Sequence, residues 1–484
     1  MIPRMNCARV LSIALVFATT PTTLFPQRTA RSPRPQLQKL EKDIRAQLGF
    51  LASDAMQGRG SGTGFERIAA EYIGSQFRQF GLEPAGDADS SGNKGFVEKV
   101  VLESVKFTEP PLLTATLGKE SKQWQFGRDL LVSFLRVPQV SGELQVIDVD
   151  GMPAKGAIVV VRMPDDSDQQ MRQEILRKAR SMQAAGVVLP ESEANRKTRE
   201  AGNVKLPALP GRLRGDPDDA AGFAAISLRR DAFNALAAMP PGTRVDFGGP
   251  IQPIETGATW NAVGVLHGAD ARAAKEVIML SAHLDHLGVN EAAGADTIFN
   301  GADDDASGCV AVLELARALA SGKRPRRTIY FVCFGSEERG GYGARFFIAH
   351  SPVPLTNIVA DVTFEMLGRP DAKVKPNTLW LTGYERSTLG PELARHGALI
   401  VADPHPEQNF FQRSDNYALA LRGVVAHTVS SFGLHTDYHR PTDDLTRIDF
   451  KFMTHSISSL IEPIRWLANT RFRPAWLPGQ APTR

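Results

Sequence analysis

Residues 278–308, IMLSAHLDHLGVNEAAGADTIFNGADDDASG, combine an apolar strand, a polar loop and the start of an apolar helix. The strand leads directly to His283, and Asp285 follows two residues later. Three consecutive aspartates, Asp303 to Asp305, precede a helix predicted for residues 307–320. Sites in α/β proteins lie at the carboxyl ends of strands, and an imidazole beside carboxylates suits a divalent metal. The segment therefore predicts a metal site in an α/β fold.

A second interpretation fits the same residues. Aspartate is favoured at and before helix N-termini, so Asp303 to Asp305 also fit an acidic capping cluster. His283 equally fits an ordinary histidine at a strand end. The metal hypothesis gives Asp285 a role, because a metal-bound histidine usually donates its other N–H to a carboxylate. This segment alone leaves both interpretations open.

The composition is that of a globular protein with room for two or three domains. The chain has 484 residues, of which 42% are hydrophobic and 23% charged. A net charge of +3 is small for this length, and no basic run carries interleaved aromatic residues. The sequence therefore gives no electrostatic case for binding nucleic acid.

The first 30 residues are predicted to be a signal peptide. Arg4 and Arg9 give a basic start, residues 10–18 are apolar, and a Thr/Pro-rich stretch follows. The apolar run is too short to span a bilayer, so a secretory signal fits better than an anchor. We expect a secreted or periplasmic protein with no membrane span after removal of the signal.

Two of the three cysteines, Cys309 and Cys333, lie in apolar segments without CxxC spacing. They are therefore predicted to be buried free thiols and not zinc ligands, although an exported protein permits a disulfide.

Changes in pattern divide the remaining chain. Residues 31–120 begin with amphipathic helices, separated by the glycine-rich turn Gly58 to Gly64 (GRGSGTG). This turn has no lysine and no preceding strand, so we reject a phosphate loop. Residues 121–250 are richer in short strands and in proline, which predicts an inserted β-rich module. Residues 251–470 alternate strands and helices and precede a tail at 471–484.

The alternation in residues 251–470 predicts an α/β domain with a mixed, mostly parallel sheet sandwiched by helices. Within it, Glu337 and Glu338 follow a strand, where adjacent acids also fit a capped loop. Glu365 follows an apolar strand, and an unpaired carboxylate buried there would be costly unless a cation balanced it. His439 lies in a polar turn. These positions add four further candidate ligands.

With these segments in order, the chain resembles the co-catalytic zinc peptidases of the M28 type, the aminopeptidase Y and glutamate carboxypeptidase-like group. The resemblance covers residues 37–467, and its fold is the zinc-peptidase (phosphorylase/hydrolase-like) fold. The inserted module resembles the protease-associated domain of many members, through the phrases KGAIVVVR and AAGVVL. The matching segments are SAHLDHLG, NGADDDASG, FGSEERGGYG, FEMLGR, RSDNYA and DYHRPTDD.

The resemblance implies two zinc ions per chain and assigns a role to each matching residue. His283 and Glu365 would bind one zinc, Glu338 and His439 the other, and Asp304 would bridge both. Glu337 would be the general base, and Asp285 would orient His283. Both are therefore predicted catalytic residues.

Asp361, earlier on the strand of Glu365, is an alternative ligand. Asn416 replaces a histidine found in many members, and Tyr438 and Arg413 are expected to contact substrate; His286, His427 and His435 are expected to be structural or to support ligands.

The implied activity is that of an exported di-zinc aminopeptidase acting on peptides through a metal-bridging hydroxide. Carboxypeptidase activity and a glutaminyl-cyclase-like reaction on the same fold remain alternatives. A receptor-like binding protein is a third alternative, which the complete ligand set disfavours. Side-chain preference, oligomeric state and the role of the inserted module are left open by the sequence.

Overall fold

The computed structural model describes residues 33–483, apart from 165–168, 203, 208, 210–211 and 214–221. The predicted signal peptide lies outside the described residues. Within the described part of the chain, no helix combines the length and the apolar character needed to cross a membrane.

The described helices and strands alternate irregularly along the chain. The helices are α1 (Pro33–Leu51), α2 (Gly64–Gln79), α3 (Gln169–Ser181), α4 (Glu193–Glu200), α5 (Arg230–Ala237), α6 (Gly308–Ala320), α7 (Tyr342–Ala349), α8 (Leu389–Arg395), α9 (Asn416–Ala420) and α10 (Phe450–Asn469). The first ten strands are β1 (Glu83–Pro84), β2 (Val97–Phe107), β3 (Leu112–Leu117), β4 (Glu120–Gln125), β5 (Leu130–Leu135), β6 (Val140–Asp148), β7 (Ile158–Arg162), β8 (Gly186–Pro190), β9 (Arg212–Leu213) and β10 (Ala224–Leu228). The others are β11 (Arg244–Gly248), β12 (Ile251–Leu266), β13 (Val277–His283), β14 (Gly288–Val289), β15 (Ile298–Phe299), β16 (Thr328–Phe334), β17 (Ile358–Phe364), β18 (Leu379–Leu381), β19 (Ile400–Ala402) and β20 (Ala426–Ser430).

The larger sheet has the order β19-β18-β20-β17-β13-β16-β12-β2-β9, with β1 paired to β12. Its central strands β16, β13, β17 and β20 run parallel, whereas β12, β2 and β9 pair antiparallel on one side. Strands β13, β16 and β17 are buried at every residue, because helices cover both faces of a parallel sheet. The carboxyl ends of these strands therefore open at one edge of the core.

Two apolar cores lie on the two faces of this sheet. One contains residues of α1, α2, α6 and α10, with Ile44, Phe77, Leu313 and Leu460 fully buried. The other contains residues of α7 and α9, including Phe347 and Leu419. The predicted mixed α/β fold with helices on both faces is confirmed.

A second sheet, β4-β3-β11-β6-β7-β8-β10-β5, is formed by strands between Leu112 and Gly248. It begins at β3, before the predicted start of the insert at residue 121. Helices α3, α4 and α5 also lie in this segment. Helix α4, EANRKTRE, has no buried residue, so it carries no apolar stripe from which it could be predicted. The protease-associated identity of this module stays a prediction.

The second sheet joins the larger one through the neighbouring strands β2 and β12. Ile251 pairs with Phe107 at the last register position of these strands. Just beyond it, Thr108 donates its N–H (3.0 Å) and its hydroxyl (3.3 Å) to the carbonyl of Pro250. The chain therefore enters and leaves the second sheet at adjacent points.

Candidate metal centre

The parallel strands at the middle of the larger sheet deliver the predicted residues to one edge. His283 is the last residue of β13, Glu337 and Glu338 follow β16, and Glu365 follows β17 directly. Because β13 pairs with both β16 and β17, these three strand ends are neighbours. Side chains distant in sequence are thereby brought to one place.

Asp304 lies at the centre of this group. Its Oδ1 is 3.2 Å from His283 Nε2, and its Oδ2 is 3.2 Å from His439 Nε2. The Asp443 carboxylate holds the loop by accepting the backbone N–H groups of Asp303 (3.1 and 3.2 Å) and Asp304 (3.1 Å). The two oxygens of Asp304 thus face two different sets of side chains, which is the position of a bridging ligand.

Glu338 and two histidines form the second set. His439 Nε2 is 3.2 Å from Glu338 Oε2, and His286 Nδ1 is 2.8 Å from Glu338 Oε1. The His286 and His439 rings are 5.7 Å apart, edge to face. The structure therefore adds His286, which was expected only to support ligands, to the residues around Glu338.

These residues fit a metal pair. Two triads, His283–Asp304–Glu365 and His286–Asp304–Glu338, each offer ligand atoms within 4.8 Å of one another. Zinc–ligand bonds of about 2.0–2.3 Å place the ligands of one ion roughly 3–4 Å apart, so such spacing suits zinc. Asp304 Oδ2, His439 Nε2 and His286 Nε2 are buried and have no hydrogen-bond partner. Orphaned donor and acceptor atoms at one point indicate that a ligand is meant to satisfy them.

The structure separates Glu365 from its alternative, Asp361. Glu365 belongs to the triad with His283 and Asp304. Asp361 is fully buried within β17, and its carboxylate accepts the hydroxyls of Ser281 and Thr363, each at 2.9 Å. Those hydroxyls already satisfy Asp361, so Glu365 is the available ligand.

Asp285 connects the loops after β13 and β16. Its Oδ1 accepts the N–H of Glu337 at 3.0 Å, and its Oδ2 accepts the hydroxyl of Ser61. His283 Nδ1 is 3.2 Å from the Asp285 carbonyl oxygen and 3.7 Å from its carboxylate. Asp285 thus contacts His283 mainly through its backbone, while its carboxylate fixes the start of the Glu337–Glu338 segment.

Burial and neighbouring charge shift the pKa values of these groups in different directions. Burial alone would raise the pKa of Asp304, but the adjacent imidazoles of His283 and His439 hold it well below its usual range. Burial alone would lower the pKa of His283, but hydrogen bonds with Asp285 and Asp304 raise it. Burial raises the pKa of Glu337 well above its usual range, and the charge of His283 opposes this. Asp304 is thereby suited to ligation, and Glu337 to carrying a proton.

Comparison with known protein families gives a match for the part of the chain that contains this centre. Residues 261–462 match the profile of peptidase family M28. Residues 261–462, which we call the M28 domain, are thus similar to this family. The M28 domain contains His283, Asp304, Glu338, Glu365 and His439, the predicted ligands.

The individual proteins that match this chain do so over a short segment or at low sequence identity. A probable zinc metalloprotease of Leptosphaeria maculans is 32% identical over 108 residues, which are 22% of this chain and 24% of that protein. The matched segment thus spans about a quarter of that relative. An aminopeptidase from Aneurinibacillus sp. strain AM-1 has the same fold, with a TM-score of 0.50 and 20% identity over 93% of this chain and 99% of that one. A zinc aminopeptidase from Bacillus subtilis has a TM-score of 0.48 and 16% identity, over 90% and 96% of the two chains.

An aromatic pocket of the M28 domain opens beside the candidate metal ligands. Trp380 stacks on Phe410 with 5.4 Å between ring centroids, Phe410 contacts Phe432 at 5.8 Å, and Phe432 contacts Tyr438 at 5.2 Å. The same pocket is also lined by Asp304, Glu337, Glu338, Glu365, Met366, Thr382, Arg413, Thr428 and Ser430. The pocket therefore combines aromatic walls with the acidic residues of the centre. It also includes Tyr438 and Arg413, the two predicted substrate contacts.

The other residues noted in the sequence serve the M28 domain structurally. Asn416 accepts the hydroxyl of Thr428 at 2.9 Å and is fully buried. His427 Nδ1 donates to the Thr382 carbonyl, and its Nε2 accepts the Ser387 hydroxyl, each at 2.7 Å; burial lowers the pKa of His427 to about 4. Cys309 and Cys333 are buried and unbonded, as predicted. His435 contacts Asp303 at 3.0 Å.

His286 is the residue of this centre that the sequence pattern undervalued. It lies three residues after His283 in HLDHLG, beyond the strand end. In a strand, residues i and i+3 face opposite sides, so no strand pattern places both imidazoles in one site. The signal that could have found it is compositional: a second histidine in a polar loop next to a predicted ligand.

Proposed function

We propose that this protein is a zinc-dependent aminopeptidase that hydrolyses the first peptide bond of its substrates. One observation carries the proposal: Asp304 lies between two groups of ligand-type side chains, and Glu337 lies beside them in the same pocket. The match of residues 261–462 to peptidase family M28 supports a peptidase. The proposal includes two zinc ions per chain and export from the cytoplasm, the latter resting on the sequence of the first 30 residues.

In this proposal His283, Asp304 and Glu365 hold one zinc ion, and Asp304, Glu338 and His439 hold the other. His286 contacts the second set through Glu338. When bound, the ions supply positive charge that polarises the scissile carbonyl and lowers the pKa of water. Histidine and carboxylate ligands also suit cobalt and manganese, so the assignment to zinc rests on the family.

Glu337 is the proposed general base. It lines the pocket next to the candidate ligands and belongs to neither ligand triad. Its raised pKa suits a group that takes a proton from water and gives it to the leaving amine. Because Asp285 accepts the N–H of Glu337, the backbone of this residue is fixed relative to the loop of His283.

The aromatic pocket is the proposed binding site for the side chain of the N-terminal residue. Trp380, Phe410 and Phe432 give it large apolar walls, so we expect leucine-like and aromatic side chains to be preferred over charged ones. The adjacent carboxylates of Glu337 and Glu365 offer anionic partners for the free α-amine.

Arg413 favours a second candidate function. It lines the same pocket, with its guanidinium 5.0 Å from the centre of the Phe410 ring. A cation beside the centre would bind the terminal carboxylate of a carboxypeptidase substrate. The two candidates differ in whether a free amine or a free carboxylate is required.

The test combines metal content with two substrate panels. Purified protein is reconstituted with zinc and assayed on aminoacyl-nitroanilides and on N-acylated peptides with a free carboxyl terminus. We expect two metals per chain and turnover of the nitroanilides only. Glu337→Gln should keep both metals and lose about 10²- to 10⁴-fold in kcat.

Two further variants serve as controls. Glu338→Gln should lose metal, because it removes a ligand, whereas the exposed Glu462→Gln should behave as the parent protein. Turnover of the N-acylated peptides alone would establish the carboxypeptidase. Failure of the reconstituted protein to bind any metal would contradict both candidates.

A further inference from the structure

The glycine-rich turn, Gly58 to Gly64, lies directly against the loops of the metal centre although it precedes the M28 domain by about two hundred residues in sequence. A side-chain Cβ at Gly58 would lie 2.4 Å from the Phe299 carbonyl and 2.5 Å from that of Gly288. At Gly60 it would lie 3.0 Å from Gly288 Cα. Only glycine permits this approach, so the composition of the turn follows from its close contact with the loop after β13.

Arg59 ties together the two loops that carry His283 and Asp304. Its guanidinium donates to the carbonyls of Leu284 (3.0 Å), Asn300 (2.7 Å) and Gly301 (3.0 Å), and also to that of Leu51 (2.6 Å). The side chain is 1% exposed. Leu284 follows His283 directly, and Gly301 begins the segment GADDD, so one planar group sets the distance between two ligand loops.

The backbone of the turn adds further contacts to the same loop. His286 donates its N–H to the Arg59 carbonyl at 3.1 Å, and Ser61 donates its N–H to the His286 carbonyl at 3.3 Å. The hydroxyl of Ser61 donates to Asp285 Oδ2, while the other oxygen of Asp285 accepts the Glu337 N–H. Ser61 therefore reaches the loop of the proposed base through one intervening carboxylate.

Glu66 lies just after the turn, in α2, and forms a hydrogen bond with the segment that follows β16. Its carboxylate accepts the N–H of Ser336 at 2.9 Å, the N–H of Gly62 at 2.7 Å and the hydroxyl of Thr259 at 2.5 Å. Ser336 immediately precedes Glu337. Every loop that delivers a ligand or the base from β13, β16 or the Asp303–Asp305 segment is thus bonded to residues 59–66.

We propose that Arg59, Ser61 and Glu66 are positioning residues of the metal centre, which set the separation of the His283, Asp304 and Glu337 loops. These side chains contact backbone and carboxylate groups next to the ligands and not the ligand atoms themselves. The inference rests on the proposed metal centre. Outer contacts of this kind typically change metal affinity or activity by about 10- to 100-fold when removed.

The sharpest test compares two buried arginines. Arg327 is also 1% exposed and donates to the carbonyls of Leu467 (2.8 Å) and Phe472 (2.8 Å) and to Glu276, but it precedes β16 and so lies at the opposite end of the strands. Arg59→Lys and Arg327→Lys keep the charge and lose the planar fork. For each variant, zinc affinity is measured by chelator competition and the Tm is measured on metal-free protein.

We expect both variants to lower the Tm of the metal-free protein, but only Arg59→Lys to lower zinc affinity, by about tenfold or more. Equal zinc affinity in the two variants would overturn the inference, because Arg59 would then affect stability alone, as Arg327 does. A parent protein that binds no zinc would instead contradict the proposed function.

Ser61→Ala provides a second test that does not depend on a buried arginine. Its matched control is Ser53→Ala, which removes a hydroxyl bonded to the Phe50 carbonyl at 2.8 Å in the same region but away from the site. Ser61→Ala should weaken zinc binding and lower kcat with little change in KM, whereas Ser53→Ala should change neither. Identical zinc affinity and kcat in the two serine variants would overturn the inference for Ser61.

Discussion

The imidazole of His286 has one nitrogen bonded to Glu338 at 2.8 Å and another, Nε2, that is buried without a partner. His405 has the same arrangement elsewhere: Nε2 contacts Asp371 Oδ2 at 2.8 Å, and Nδ1 has no hydrogen-bond partner. The two histidines are 0% and 1% exposed. They differ in their surroundings, since only His286 lies within reach of Asp304. The pair therefore separates the effect of a buried imidazole from the effect of the centre.

We predict that His286→Ala lowers zinc affinity by about 10- to 100-fold, because Glu338 loses the group that orients it. His405→Ala leaves a similar cavity and should leave zinc affinity unchanged. Titration of each metal-free variant with zinc in the presence of a competing chelator measures the difference. Equal affinities in His286→Ala and the parent protein would show that His286 only fills space.

At the scale of elements, strand β17 and the residue that follows it present two carboxylates in different environments. Glu365, just past its end, joins the candidate ligands. Asp361, within the strand, accepts the hydroxyls of Ser281 and Thr363. Burial raises its pKa from 3.8 to about 7. A folded-state pKa above the unfolded value means that the folded protein binds the extra proton. The stability that this proton contributes is complete below pH 4 and is lost as the pH rises through 7.

Asp361→Asn should therefore flatten the dependence of unfolding free energy on pH. Between pH 4 and pH 7 to 8 the parent protein should lose up to about 4 kcal/mol relative to the variant. Urea unfolding of metal-free protein at several pH values measures this. Asp270→Asn is the control: this partly exposed aspartate has a pKa lowered to about 2 by backbone hydrogen bonds, so its removal should leave the slope above pH 4 unchanged. Parallel pH profiles for Asp361→Asn and the parent would contradict the prediction.

The sequence predicted elements well where apolar residues recur regularly. Helix α6, predicted for residues 307–320, is observed at Gly308–Ala320. Strand β4, ESKQWQ, has a single buried residue and was not anticipated, because most of its side chains face solvent. The ligand-type residues were recognisable because each follows an apolar strand or a loop motif.

Contacts across the chain were beyond such patterns. Arg59 and Leu284 are separated by 225 positions, and no periodicity relates a glycine-rich turn to a distant loop. The turn was correctly excluded as a phosphate loop, but its packing on Gly288 could be known only from the fold.

At the scale of the whole molecule, the chain enters and leaves the second sheet at adjacent points, and β9 of the same segment pairs with β2 of the larger sheet. Thr108 and Pro250 are hydrogen-bonded neighbours at its entry and exit. Beyond them, β2 and β12 already pair as an antiparallel hairpin from Phe107 and Ile251 onward. Two strands in this arrangement need only a two-residue turn.

We predict that replacing residues 109–249 by Asn-Gly leaves a folded domain that binds zinc and hydrolyses aminoacyl-nitroanilides. Its Tm should be lower, since Phe107 packs into the core of the second sheet and becomes exposed. Introducing Phe107→Thr into the shortened chain should restore solubility. Zinc content, Tm and nitroanilide turnover of both chains are the measurements. A shortened chain that stays insoluble or free of zinc in both forms would show that the second sheet is part of the catalytic core.

The clasp of Asp443 on the backbone of Asp303 and Asp304 has a consequence for synthesis on the ribosome. A chain translated only as far as Asp304 lacks both this clasp and His439. At about 5–20 residues per second, the missing segment takes roughly seven to thirty seconds to appear. During that time the nascent chain contains His283 and Asp304 but lacks His439. A peptidase built this way gains its activity only after Asp443 has been translated.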